Sequence, residues 1–175
     1  MLNELTGAHP AWPAAALIDP SRIAMAGHSA GGAAAIPAML TDSRIRAGLD
    51  MDGATVAPIP DGGLSRPFLF LGKQSNYTPG SGGNATTWEH DWKLLTGWKR
   101  WLVAAGAVHA SFTDLGLLAD QTGIDVGAAL PGALALDITR AYVRAFFDLH
   151  LRSEPQALLD RPSPRYPEVT FCSPD

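Results

Sequence analysis

The chain has one cysteine, Cys172, in 175 residues, so it cannot form an internal disulfide, and that thiol is either free or paired outside the chain. Charge is sparse. Asp, Glu, Lys and Arg together make up 17% of the residues, the 13 Lys and Arg are scattered, and the formal net charge is -4, so the basic stripe that nucleic-acid binding needs is missing. No apolar run approaches the roughly 20 residues that cross a bilayer, and the first residues lack the basic, apolar and small-residue order of a secretory leader. No His or Cys pair has metal-ligand spacing, so neither a metal nor another cofactor is expected. Gly72-Lys73-Gln74 lacks the Ser or Thr and the upstream glycine of a phosphate-binding loop. Internal repeats and a second domain are also missing. What remains is 46% hydrophobic residues, enough for the core of one domain.

The periodicity alternates as an α/β layer protein requires. Leu2 to Leu5 reads as the tail of a helix, and Gly7 to Pro20 as a Pro-rich connection. Ile23-Ala24-Met25-Ala26 supplies a strand, and Ala33 to Leu40 supplies helix formers. Ile45, Ala47, Leu49 and Met51 then alternate with polar or small residues, predicting a strand that ends near Gly53 with Asp52 at its C-terminal end. Phe68 to Leu71, after Pro67, has the continuous apolar character of a buried parallel strand. Tyr77 to Thr87, rich in Gly, Ser, Thr and Asn, is expected to be a mobile surface loop. A short helix follows from Trp88 to Leu95, then a strand from Trp98 to Ala104 broken by Gly106, then an amphipathic helix from Asp137 to Leu151.

Within this frame Gly27-His28-Ser29-Ala30-Gly31-Gly32 carries the chemistry. A G-x-S-x-G turn between a strand and a helix strains the serine and exposes its hydroxyl. Small residues two before and two after it, here Gly27 and Gly31, relieve clashes. Ser29 is then the candidate nucleophile, and the backbone amide of Ala30 is the candidate donor to an oxyanion. A serine hydroxyl needs an imidazole to take its proton, and the imidazole needs a carboxylate to fix its tautomer.

Ser29, Asp52 and His109 follow one another in the order of α/β-hydrolases, each at the C-terminal end of a different strand. The other histidines are placed less well. His9 precedes the serine, and His28 adjoins it and cannot fold back to accept its proton. His90 falls within a helix, and His150 has a structural reason to be where it is, as an imidazolium at a helix C-terminus. Among the acids Asp50 is the rival, on the same strand face as Asp52 but one pleat earlier, while Asp114 and Asp120 follow His109. Trp88, Trp92, Trp98 and Trp101 suggest an aromatic cleft, although packing against the sheet is the more ordinary use of such residues.

Ser21 to Gly32, Ala47-Gly48-Leu49-Asp50-Met51-Asp52 and Ala107-Val108-His109-Ala110-Ser111-Phe112 together resemble the platelet-activating-factor acetylhydrolase group of α/β-hydrolases and its bacterial lipase-like relatives. The likeness extends from about Ser21 to Phe147. It implies an α/β-hydrolase fold with a mainly parallel sheet and flanking helices, and a metal-free serine esterase acting on small-molecule or lipid esters with short or oxidised acyl chains. It also implies that the chain corresponds to the C-terminal half of the catalytic domain, without the N-terminal strands and the loop that carries a second oxyanion donor. The sheet would then be completed by missing sequence, a partner chain or self-association. Substrate walls are expected from the loops at Tyr77 to Trp88 and Phe112 to Leu118. A peptidase or thioesterase on the same fold, and a catalytically impaired fragment serving as an interaction module, are the alternatives.

Overall fold

The computed structural model describes residues 2–7, 12–55 and 58–174. A short helix α1 (Leu2–Thr6) leads in; His9 and part of the expected Pro-rich connection lie outside the described residues. One sheet follows, built from β1 (Ile23–His28), β2 (Ile45–Met51), β3 (Phe68–Lys73), β4 (Lys99–Ala104) and β5 (Val169–Cys172), arranged side by side in that order. The first four are parallel, and β5 runs antiparallel on β4. Parallel neighbours require crossovers. These are supplied by α2 (Ala30–Ala33) and α3 (Ala35–Thr41) after β1, and by α4 (Gln74–Tyr77) and α5 (Ala85–Leu94) after β3. After β4 come α6 (Leu115–Thr122) and α7 (Gly132–Arg152).

Alternation along the strands divides the core in two. Leu69 and Leu71 of β3, with Leu102 and Ala104 of β4, pack on Ile138, Tyr142 and Phe146 of α7. Phe68 and Phe70, with Trp101 and Val103, face the other way onto Ile36 and Met39 of α3 and Trp88 of α5. Gly48 of β2 points to this second layer, where a Cβ would stand 2.3 Å from the Met39 sulfur, so only glycine lets α3 approach the sheet.

The alanine-rich helix is broken into α2 and α3 at Ala34. Pro37 explains the break, because it offers no N–H to the carbonyl one turn earlier and its ring crowds that carbonyl. The C-terminal end of α3 is closed by Arg66, whose guanidinium donates to the carbonyls of Met39, Asp42 and Ile45.

Two expectations need correction, those for Tyr77 and His150. Tyr77 is not on a mobile loop: its side chain is buried and its ring lies 3.9 Å from that of Trp88, while Ala85 to Thr87 already belong to α5. Trp88 and Trp101 are fully buried in the core, in keeping with packing against the sheet as their ordinary use. His150 is no imidazolium at a helix end. It packs on Trp98 and Phe146 with ring centroids 4.4 and 4.9 Å away, and burial pushes its pKa down to about 4. Among the described residues no helix is long and apolar enough to cross a membrane.

Candidate active site

The C-terminal ends of β1, β2 and β3 are stepped so that consecutive strands hand their hydrogen bonds outward. His28 pairs with Met51, and Ser29 N–H, one residue beyond, donates to the Met51 carbonyl at 2.8 Å. Asp52 N–H donates to the Leu71 carbonyl at 3.0 Å, and Lys73 N–H donates to Asp52 Oδ1 at 2.8 Å. Ser29 and Asp52 therefore leave adjacent strands at the same level. Both are strained there, with φ of 57° at Ser29 and 55° at Asp52. Side chains other than glycine rarely adopt such φ values, and the surrounding structure has to hold them in place.

Gly27 contributes to that hold, because a Cβ there would lie 2.2 Å from the backbone of Gly31. The second glycine the turn needs is not Gly31, where a Cβ meets nothing within 4 Å, but Gly32, where it would lie 2.0 Å from Asp50 Oδ1 and 2.8 Å from the Gly27 carbonyl. The sequence motif thus names the right turn and the wrong glycine for the close approach.

His109 arrives from beyond β4. Gly106, at φ of 73°, turns the chain, and its carbonyl accepts from Ala129 and Leu130. A 3-10 turn from His109 to Phe112 is tightened when Ser111 Oγ accepts the N–H of Val108 at 3.0 Å. The imidazole Nδ1 stands 2.5 Å from Asp52 Oδ2. The carboxylate is 1% exposed and the imidazole 48%, so the acid is buried behind a ring that meets solvent. Since an ionised carboxylate only accepts, Nδ1 carries the proton and Nε2 keeps its lone pair.

The sequence does not single out Lys73, and it names His28 only as part of the turn around Ser29, set aside as the base. Lys73, passed over with its failed phosphate-loop pattern, donates through its backbone and places its ammonium 3.5 Å from Asp52 Oδ2, so the carboxylate is held on both oxygens. Its position at the end of β3, beside the end of β2, is the signal that could have drawn attention to it. His28 faces His109, with ring centroids 4.3 Å apart.

Asp50, the rival acid, has a different place. It is fully buried beneath the turn, and its Oδ1 accepts from Gly53 N–H at 3.0 Å. Burial, with the nearby charges of Asp52 and Asp91, pushes its pKa up to about 8. A carboxyl whose pKa rises on folding adds stability that is full below the unfolded value near 3.8 and fades as pH climbs through about 8. Asp50→Asn should therefore flatten the fall in denaturation midpoint between pH 4 and pH 8; an unchanged slope would show that Asp50 folds ionised.

Beside His109, Ala110 opens onto a cavity of about 360 Å³ lined by Leu115, Leu118, Ala119, Thr122, Ile124 and Val126. Of the two expected substrate walls, the one from Phe112 to Leu118 borders this cavity. Tyr77 and Trp88 of the other are buried. Among the described residues no group of three or more His, Cys, Asp or Glu is placed to hold a metal ion.

Comparison with known proteins places the chain by family and fold. The family described as platelet-activating factor acetylhydrolase, isoform II, matches residues 15–152. A probable 1-alkyl-2-acetylglycerophosphocholine esterase of Arthroderma benhamiae is 32% identical over 171 residues, covering 86% of this chain and 43% of that protein. A solved ferulic acid esterase from Streptomyces cinnamoneus superposes with a TM-score of 0.85 at 39% identity, covering 98% of this chain and 52% of its own. The chain thus spans about half the length of these relatives, and its fold is that of an α/β-hydrolase. With the match running from before β1 to the end of α7, the chain belongs to the platelet-activating factor acetylhydrolase isoform II family.

Proposed function

We propose that this chain carries the catalytic machinery of a serine esterase, with Ser29 as nucleophile, His109 as general base and then acid, and Asp52 as the group that orients His109. The single observation that carries the reading is the bond of 2.5 Å between His109 Nδ1 and Asp52 Oδ2, which joins residues 57 apart at the strand end where Ser29 lies in its strained turn. Ser29 Oγ attacks the ester carbonyl carbon while its proton passes to His109 Nε2, and the carbonyl oxygen takes up the negative charge. The Ala30 N–H, first in α2 and so without a partner inside the helix, donates to that oxygen. On collapse the C–O bond to the alcohol breaks, and the Nε2 proton leaves with the alcohol. Water then attacks the acyl-serine by the same route. The apolar cavity beside Ala110 supports an ester with an apolar portion, in keeping with the short or oxidised acyl chains the family resemblance implies. The test is turnover of p-nitrophenyl acetate that disappears with Ser29→Ala; turnover that survives the substitution removes Ser29 from the reaction.

The edge of the sheet supports a second element of this reading. β1 is the outermost strand and its residues are only partly buried or exposed, whereas β2 and β3 are mostly buried. A strand presenting free N–H and C=O groups beside a nucleophile invites pairing. In the active protein, a further strand, from missing sequence, a partner chain or a second copy, pairs with β1 and carries a second oxyanion donor. Hydrogen exchange on active protein should find the β1 amides not bonded to β2 protected. Rapid exchange at those amides, with full turnover, would rule the added strand out.

A further inference from the structure

The side chain next to Ser29 in the turn reaches across to the segment that carries His109. His28 Nε2 lies 2.9 Å from the backbone carbonyl oxygen of His109, 81 residues away. A carbonyl only accepts, so Nε2 carries the proton and His28 is the Nε2–H tautomer with a bare Nδ1. The two rings lie 4.3 Å apart, and Phe112, at the end of the same turn, is 6.5 Å from His28. The charged and titratable groups facing His28 are His109, Asp52 at the end of β2 and Lys73 at the end of β3. Burial first, then the charge of His109 and lastly that of Lys73, hold the His28 pKa below the ordinary imidazole value, while the bond to the His109 carbonyl and the charge of Asp52 work against them.

We propose that His28 is a positioning residue: through its Nε2–H it ties the turn that carries the base to the strand that carries the nucleophile. The proposal rests on the esterase reading above. Asp52 fixes the His109 ring from β2, and the bond between Val108 and Ser111 shapes its turn from within. The bond from His28 fixes the His109 backbone from β1, so the ring is located from two strands. A neutral His28 also adds no repulsion when His109 becomes an imidazolium during acyl transfer. A misplacement of the base by about 1 Å can cost up to a hundredfold in rate, which sets the scale of the effect.

Two kinds of measurement test this. In native protein, imidazole nitrogen NMR should show His28 as the Nε2–H tautomer with a slowly exchanging Hε2 proton; an Nδ1–H tautomer or a freely exchanging ring would overturn the proposal without any variant. With p-nitrophenyl acetate, His28→Phe should lower kcat between about tenfold and a hundredfold and leave KM within about twofold. It should also broaden the low-field Nδ1 proton of His109. His28→Gln, which keeps a donor, should restore kcat and the resonance in large part. Equal activity of native and His28→Phe protein, loss confined to KM, or equal loss with Phe and Gln would each overturn it. Failure of the esterase reading is recognised separately, by turnover that persists in Ser29→Ala.

Discussion

Ser29→Ala is expected to lower kcat/KM for an ester substrate by at least about 10⁴-fold, because in the proposed mechanism Ser29 Oγ forms the acyl bond. Stability should change little. Alanine accepts the strained φ of 57° no worse than serine does, and the backbone bonds of the turn, from Ser29 N–H to Met51 and from Ala33 N–H to Ser29, need no hydroxyl. The denaturation midpoint is therefore expected to move by no more than about 0.5 kcal/mol in free energy. A large loss of activity with an unchanged melt separates chemistry from folding. A loss of less than about tenfold would mean that hydrolysis proceeds without a covalent serine intermediate.

Asp52→Asn should be nearly as damaging, by about 10⁴-fold in kcat, for a reason the hydrogen-bond directions supply. Oδ1 of Asp52 accepts the backbone N–H of Lys73, so in the variant the amide oxygen is drawn to that donor and the NH₂ group is turned toward His109. An NH₂ group can only donate, so Nδ1 must become the acceptor and the proton moves to Nε2. The nitrogen that should take the Ser29 proton is then already protonated, and the negative charge that stabilises the imidazolium is gone. KM should stay near the native value, since Asp52 is buried and meets no substrate. A loss below about tenfold would show that His109 does not depend on this carboxylate.

The parts of the candidate site that were legible in the sequence are those set by local rules. Strand, sharp turn and helix around Ser29 have period and glycine placement on one continuous stretch, and the alternation from Ile45 to Met51 leads to Asp52 at the strand end. Gly106 announces the turn before His109. What stayed hidden depends on contacts between distant segments. Gly31 and Gly32 are equivalent as letters, and it takes the carboxyl of Asp50 beneath the turn and the carbonyl of Gly27 to make the second one sterically necessary. Tyr77 lies in a polar stretch that reads as loop, yet Phe70, Trp88 and Trp101 build an aromatic cluster that buries it. β5 is four residues long and sits at the antiparallel edge, too short for a period to declare itself. His28 and Lys73 gain their roles only when β1, β2 and β3 end at one level.

The account stands most directly on one measurement: the site of covalent modification by a fluorophosphonate on folded protein, mapped by peptide mass spectrometry. It predicts a single adduct on Ser29, formed slowly when His109 is replaced by Gln and not at all in Ser29→Ala. Folded protein that acquires no adduct, or acquires one at another residue, would contradict it.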